Sequence, residues 1–241
     1  MGTYRLYEWL WCGLDWLYPP VCGGCGRSGA RWCAECQFQV TSLPDPICAV
    51  CGLPVASEGL CKGCRLRLPP FTALRSWVVF EGPVRSALHR LKYRRNLALG
   101  DALARPMADF CRHLDWPVEV VVPVPLGKRR LQERGYNQVS LIAMPLAALN
   151  RWRYVPRALS RVRETKSQVG LSAVERQENM QGAFRADPRP VRGRAILLMD
   201  DVATTGATIS ACAEALLSAG AKAVFALTLA RALPRHGLQN V

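Results

Sequence analysis

Eight of the chain's eleven cysteines stand in four C-x2-C pairs, Cys22/Cys25, Cys33/Cys36, Cys48/Cys51 and Cys61/Cys64. A C-x2-C pair aims two thiolates at one metal ion about 2.3 Å away, and two pairs complete a tetrahedral four-sulfur zinc site. The spacing repeats, with seven residues between Cys25 and Cys33 and nine between Cys51 and Cys61. Two sequential zinc ribbons fit this spacing: Cys22, Cys25, Cys33 and Cys36 around one ion, Cys48, Cys51, Cys61 and Cys64 around the other. A crossed arrangement, first pair with third and second with fourth, is the alternative. Disulfides would need an oxidising compartment, and nothing in the sequence directs export. So short a segment has little core of its own, and zinc supplies about 10–16 kcal/mol of apparent free energy to such modules. Four sulfurs per ion leave no position for water. The expected zincs are therefore structural, and the module presents a surface to DNA or to protein.

After Cys64 the cysteines thin out to Cys111 and Cys212, each in an apolar stretch and each expected to be a core thiol. Pro69-Pro70 closes the cysteine block. The expected organisation is an N-terminal amphipathic segment over 1–21, a double zinc ribbon over 22–68 and an α/β domain over 71–235. The opening "MGTYRLYEWLWCGLDWLYPP" carries Glu8 and Asp15 and lacks a basic lead and a cleavage site, so it is not read as a signal peptide. It reads as a short helix packed on the body, or as one that docks on a membrane surface or a partner. No apolar run is long enough to span a bilayer. The expected location is the cytoplasm, with association at the inner face of the membrane as a variant. Of the 241 residues, 32 are basic and 18 acidic, a net charge of +14 that favours polyanions: nucleic acid, phosphorylated metabolites or anionic lipid.

Beyond residue 70, apolar strands alternate with amphipathic helices. "SWVVF" (Ser76 to Phe80), "VEVVVPVPL", "RAILLMD" and "AVFALTLA" read as buried strands. Helices are expected over "GPVRSALHRLKYRRN", from Leu99 to His113, from about Asn137 to Leu149, and from Ser172 to Met180 behind the cap pattern "SAVE". Another follows "RAILLMD", with Ile209, Ala213, Leu216 and Leu217 on one face and Gly220 as its stop. Such alternation argues for a mostly parallel central sheet flanked by helices.

Within this pattern, "AILLMDDVATTGATI" (Ala195 to Ile209) drives a buried strand into two adjacent aspartates, then into a Thr- and Gly-rich loop before a helix. A helix N-terminus offers unpaired N–H donors and the positive end of the helix dipole to a phosphate. Thr204, Thr205 and Thr208 add hydroxyls, and Gly206 lets the backbone approach closely. Carboxylates accept hydrogen bonds, so Asp200 and Asp201 suit a vicinal diol. Phosphate and diol together describe a ribose 5-phosphate.

The stretch resembles the phosphoribosyl-pyrophosphate (PRPP) motif of type I phosphoribosyltransferases. That resemblance implies that Asp200 and Asp201 bind the ribose 2- and 3-hydroxyls, and that Ala203, Thr204, Thr205, Gly206, Ala207 and Thr208 wrap the 5-phosphate. It also implies a magnesium ion held mainly by the substrate's oxygens. In "VVVPVPLGKRRLQERGYNQ" it implies a basic loop cradling pyrophosphate, with Lys128, Arg129, Arg130 and Arg134 as candidates. In "RVRETKSQVGLSAVERQENMQGAF" it implies a mobile loop bringing Arg161, Arg163 and Lys166 to the leaving group. The cysteine ribbons, "RGYNQ", this last stretch and the PRPP motif, in that order, resemble the ComF/GntX family of bacterial proteins associated with competence and DNA uptake or utilisation.

Two functions follow. As an enzyme, the chain transfers ribosyl phosphate from magnesium–PRPP to an acceptor that the sequence does not name, with Asp200 and Asp201 as the catalytic carboxylates. As a non-catalytic module, its zinc ribbons and basic surface engage single-stranded DNA and the uptake machinery, and PRPP is a regulatory ligand or a vestige. Trp32, Trp77 and Tyr93 are the stacking candidates, with core packing as the competing use of each. His89 and His236 read as structural or solvated. A transcription regulator would need a helix-turn-helix, and none is legible. A homodimer is expected from the superfamily alone.

Overall fold

The computed structural model describes residues 19–163, 175, 179–180 and 182–233. In the cysteine block, two one-turn helices, α1 (Ala34–Phe38) and α2 (Lys62–Leu66), each start on a cysteine, Cys33 and Cys61, whose sulfur accepts the N–H three residues on. The block is an internal repeat. Gly26 N–H donates to the Cys22 carbonyl and Gly52 N–H to the Cys48 carbonyl, at 2.9 and 3.0 Å. Both glycines directly follow the second cysteine of their pair and have positive φ, 83° and 65°, as the turn that closes the pair requires.

The rest alternates as the sequence implies. The order is β1 (Ala73–Val79), α3 (Gly82–Tyr93), α4 (Leu99–Arg112), β2 (Val120–Pro123), α5 (Lys128–Arg134), α6 (Gln138–Leu149), β3 (Arg153–Tyr154) and β4 (Leu159–Arg161). Then come β5 (Phe184–Ala186), α7 (Pro188–Val191), β6 (Ala195–Ala203), α8 (Ala207–Ser218) and β7 (Ala223–Arg231). Five strands form one sheet in the order β1-β7-β6-β2-β3, every neighbouring pair parallel. β4 and β5 make a separate antiparallel pair. This is the α/β class the sequence implies, with helices on both faces of the sheet and the cysteine module along the edge strand β1, where the Val50 carbonyl accepts the Leu74 N–H and the Thr41 carbonyl the Val79 N–H.

The period of two in β6 explains the two cores. Leu197 and Met199 face one way, packed with Leu88 and Leu91 of α3, Leu103 of α4 and Ile142 of α6. Ile196 and Leu198 face the other way, packed with Ile209, Ala213 and Leu216 of α8. Cys111 is buried in the first core and Cys212 in the second. Trp77 also belongs to the first core, at 9% exposure, and Trp32 is half-buried against it. Of the three stacking candidates, only Tyr93 stays largely exposed, at 63%.

The structure adds β3, β4, β5 and α7 to the elements the sequence implies, confines the strand expected over "VEVVVPVPL" to Val120–Pro123, and departs from the sequence reading at two further places. The strand expected at Ser76 to Phe80 begins earlier, at Ala73, because it pairs with β7 from there. The basic loop expected after β2 is instead a two-turn helix, α5, closed by Gly135 in the left-handed region at φ 79°. An Arg129–Glu133 pair at 2.8 Å, one helical turn apart, supports it. The helix expected over Ser172 to Met180 lies largely outside the described residues; Glu175, Asn179 and Met180 are described, and each is helical.

α4 and α6 pack so closely at Gly100 that a Cβ there would meet the Leu141 Cβ and carbonyl oxygen, both at 2.6 Å. One of those atoms is backbone and cannot rotate away. Gly100→Ala is expected to lower stability by about 1–3 kcal/mol through overpacking. Urea unfolding would show this as a lower midpoint at unchanged slope, and an unchanged midpoint would contradict the packing.

Candidate functional site

Asp200 and Asp201 lie near the carboxyl end of β6, where parallel sheets bind ligands. Asp201 is 8% exposed and Asp200 half-buried. The Asp201 N–H donates to Asp200 Oδ1 at 2.8 Å, which fixes that carboxylate. Two other elements converge on Asp201 Oδ2. Lys92 Nζ, near the end of α3, lies 3.0 Å away, and Gln138 Nε2, the first residue of α6, donates at 2.8 Å. Gln138 Oε1 in turn accepts from Arg134 Nη1 at 2.7 Å.

"RGYNQ" is the bracket that makes this possible. The Tyr136 hydroxyl donates to the Leu91 carbonyl at 2.6 Å and so holds the Lys92 turn of α3. Asn137 caps α6 by accepting the Val139 N–H at 3.0 Å, and its amide donates to the Val124 carbonyl at 2.9 Å. Three consecutive side chains thereby tie α3, the end of β2 and β6 around one carboxylate.

The two carboxyls differ in charge state. Burial pushes both up. For Asp201, the Lys92 ammonium and the Gln138 hydrogen bond outweigh burial and hold it below the ordinary aspartate value. For Asp200, burial and then the Asp201 charge push its value up to about 8. The pair presents one fixed anion beside one carboxyl poised to ionise.

Downstream, β6 runs through Ala203 into the loop that opens α8. Its Ala203 carbonyl accepts the Ala232 N–H at 3.0 Å. Gly206 is left-handed at φ 80° and, as the N-cap residue, offers α8 no side chain; the Thr205 hydroxyl accepts the first helical N–H, that of Ala207, at 3.4 Å. No atom would lie within 4 Å of a Cβ at Gly206, so the space over the helix end is open. Thr204 and Thr208 are half-buried and Thr205 is exposed beside it; Ala207 is buried and starts the helix.

The basic candidates divide. Arg134 joins the Asp201 network and lies over the Tyr93 ring at 5.3 Å. Lys128, Arg129 and Arg130 are exposed on α5, and Arg129 is paired with Glu133. Arg161 and Arg163 are on the β4–β5 side. Arg161 lies over Phe184 at 5.9 Å, and Arg163 donates to the Asn179 carbonyl at 3.0 Å. Lys166, like residues 1–18 and His236, lies outside the described residues.

The cysteines gather as two sequential clusters, Cys22/Cys25/Cys33/Cys36 and Cys48/Cys51/Cys61/Cys64. Four sulfurs about 2.3 Å from one centre stand about 3.8 Å apart. The Sγ separations match: Cys22 to Cys33 and to Cys36 at 3.6 Å, Cys25 to Cys33 at 3.8 Å, Cys51 to Cys61 at 3.6 Å. No described cysteine is in a disulfide. Backbone N–H groups of Cys33 and Cys61 donate to Cys22 and Cys48 Sγ at 3.4 and 3.3 Å, as thiolate ligands require. The Arg27 side chain holds the Cys25 thiol down to about 6. Both clusters are consistent with structural zinc ions.

The second ribbon is docked on the sheet. Leu74 N–H donates to the Val50 carbonyl at 2.7 Å. The Arg231 guanidinium, 4% exposed at the end of β7, donates to the Cys51 carbonyl at 3.0 Å. Arg75 reaches the Ala49 carbonyl at 3.0 Å. Nothing in the sequence alone marks Lys92, Arg231 or Arg75 as a site residue. Gln138 carries a signal, its place in "RGYNQ".

Comparison with known proteins adds the following. The double zinc ribbon domain family matches residues 13–65. The DNA utilization protein YhgH of Escherichia coli (strain K12) is 35% identical over 230 residues, covering 92% of this chain and 98% of that protein. Competence protein F of Haemophilus influenzae is 30% identical over 212 residues, covering 83% of this chain and 90% of that protein. Competence protein ComFC of Bacillus subtilis is 30% identical, covering 83% of each. Among solved structures, an adenine phosphoribosyltransferase is 16% identical at a TM-score of 0.35, covering 59% of this chain and 75% of that one. Among the described residues no helix is long and apolar enough to cross a membrane.

Proposed function

The chain belongs to the ComF/GntX family of DNA-utilisation and competence proteins, and on that premise we propose that it binds magnesium–PRPP at the end of β6. The observation that carries this reading is Asp201, held as an anion by Lys92 and Gln138 a few residues before a helix N-terminus whose N-cap is a glycine. Asp200 and Asp201 accept the ribose 2- and 3-hydroxyls, and Ala203 to Thr208 receive the 5-phosphate. Two carboxylates are hard oxygen donors that suit magnesium. When bound, the metal neutralises pyrophosphate charge.

Transfer would break the bond between ribose C1 and the pyrophosphate oxygen and form one from C1 to an acceptor nucleophile, the electron pair leaving on pyrophosphate. The chain's own share is to fix the ribose through Asp200 and Asp201 while positive charge develops on it. Arg134, seated in the same network, is the described cation best placed to favour pyrophosphate departure. The zinc ribbons and the basic surface belong to the DNA-handling side of the function, as the names of the relatives suggest.

Calorimetric titration of the zinc-loaded chain with magnesium–PRPP tests this, beside Asp200→Ala/Asp201→Ala. Two charge-assisted hydrogen bonds of about 1.5–3 kcal/mol each correspond to roughly a 100-fold loss or more in the double variant. Equal binding by both proteins, or no binding by the folded wild type, would remove the assignment. Pyrophosphate release in an acceptor screen then separates enzyme from ligand-regulated module.

A further inference from the structure

A second site opens on the outer face of α3. A depression of about 920 Å³ is lined by Arg85, His89, Arg90, Lys92, Tyr93 and Arg94, with Phe80 and Asn96 at its edges. No carboxylate lines it. Arg85, His89 and Tyr93 recur at helical spacing on one face, and all three are exposed. Among the described residues, no acidic side chain pairs with Arg85, Arg90 or Arg94. The volume is at the upper end for a small-molecule pocket, but the lining is exposed side chain, so the shape is a groove.

The groove has two defined ends. At one, the Arg90 guanidinium lies close enough to Gly26 that a Cβ there would meet it at 3.0 Å, which places it against the first cysteine ribbon. At the other, Lys92 touches Asp201. Between them lies a cation–aromatic strip. The His89 and Tyr93 ring centroids are 4.9 Å apart, and Arg134 lies over Tyr93 at 5.3 Å.

We propose that this groove binds single-stranded DNA, running from the first zinc ribbon toward the Asp200–Asp201 site; the proposal rests on the DNA-handling half of the function above. Cations without counter-ions track a phosphate backbone, and exposed rings meet unstacked bases, a combination that a duplex with buried base faces does not use. Arg85, Arg90 and Arg94 contact phosphates. Tyr93 and His89 supply the base-stacking surface.

The test is fluorescence anisotropy of a labelled oligothymidylate of about twelve nucleotides, within the site sizes of single-strand binders, titrated with the zinc-loaded full chain at several salt concentrations. Tyr93→Ala is expected to weaken binding by about 5- to 100-fold, and Tyr93→Phe to restore it, because stacking needs the ring and not the hydroxyl. Arg85→Ala/Arg94→Ala is expected to reduce the slope of log affinity against log salt by about 1.4, two single-strand phosphate contacts. The same arginine variant should bind magnesium–PRPP like wild type, so the ligand assignment and the strand assignment fail separately. Wild-type strand affinity and slope in the Tyr93 and arginine variants, with zinc content and melting intact, would overturn the groove. So would capture of anionic phospholipid vesicles by a protein that leaves the oligonucleotide free.

Discussion

Stripping zinc from the chain with a strong chelator is expected to abolish magnesium–PRPP binding, although no cysteine lies in the proposed ribose site. The path is short. Arg231 is 4% exposed and donates to the Cys51 carbonyl, and Arg75 donates to that of Ala49. A zinc ion with four thiolates carries a net charge of −2, and the Cys51, Cys61 and Cys64 sulfurs are the charges that Arg231 faces. With the metal gone and the thiols protonated, Arg231 is a buried cation without a counter-charge, a situation worth about 3–5 kcal/mol when a buried pair is broken. Arg231 is in register with Ala203 across the sheet, and the next N–H, that of Ala232, holds the Ala203 carbonyl. Ala203 begins the loop proposed to hold the phosphate.

The expected result is therefore twofold: a lower thermal midpoint for the whole chain by circular dichroism, and lost ligand heat by calorimetry, both restored when zinc is returned. The two ribbons should differ. Cys48→Ser/Cys51→Ser is expected to remove ligand binding, whereas Cys22→Ser/Cys25→Ser, in the ribbon away from Arg231, should leave most of it. Apo protein that binds PRPP as the zinc form does would show that the ribbon and the ribose site are energetically separate.

The contrast between the metal clusters and this linkage shows where sequence is informative. The clusters were legible because four ligands lie close along the chain, and short loops leave few ways to gather them. The β6 motif was legible for the same reason, since acids, loop and helix start are contiguous. The sheet followed from runs such as Val120–Pro123 and Ala195–Met199, buried on both faces. What was not legible came from long-range pairing. Lys92 read as one more cation on a polar helix face, and only the fold carries it from α3 to Asp201. Arg231 ends an apolar strand and gave no sign of facing a ribbon 180 residues earlier. α5 falls where the family resemblance implies a pyrophosphate loop, so the sequence reading makes it a loop. Its helix rests instead on side-chain pairing and on the left-handed Gly135 that ends it.

The carboxylate pair supplies the other large effect. Lys92→Met is expected to weaken magnesium–PRPP binding at pH 7 by 100-fold or more, since loss of a buried partner is worth about 3 kcal/mol or more; Lys92→Arg should recover part of it. Without the ammonium, only hydrogen bonds from Gln138 and the Val202 backbone oppose burial at Asp201, and two adjacent carboxyls compete for ionisation. The pH dependence identifies the cause. In the free protein Asp200 has been raised to about 8 by burial and then by the Asp201 charge. Its value in the unfolded chain is about 3.9, so the native state holds a proton that the unfolded state gives up. That contribution to stability is full below about pH 4 and is lost as pH rises through about 8. A ribose diol needs the ionised carboxylate, so ligand affinity runs the opposite way and rises from pH 7 to 9. Over that range the substrate phosphates, whose second pKa is about 6, no longer titrate. Affinity climbing while the ligand-free melting point falls is the signature of a proton displaced from Asp200 by the ribose. In Lys92→Met the affinity curve should move to higher pH, because Asp201 must then be ionised as well. A pH-independent affinity in the wild type, or a Lys92→Met titration that overlays it, would mean that the two carboxylates do not hold the ligand.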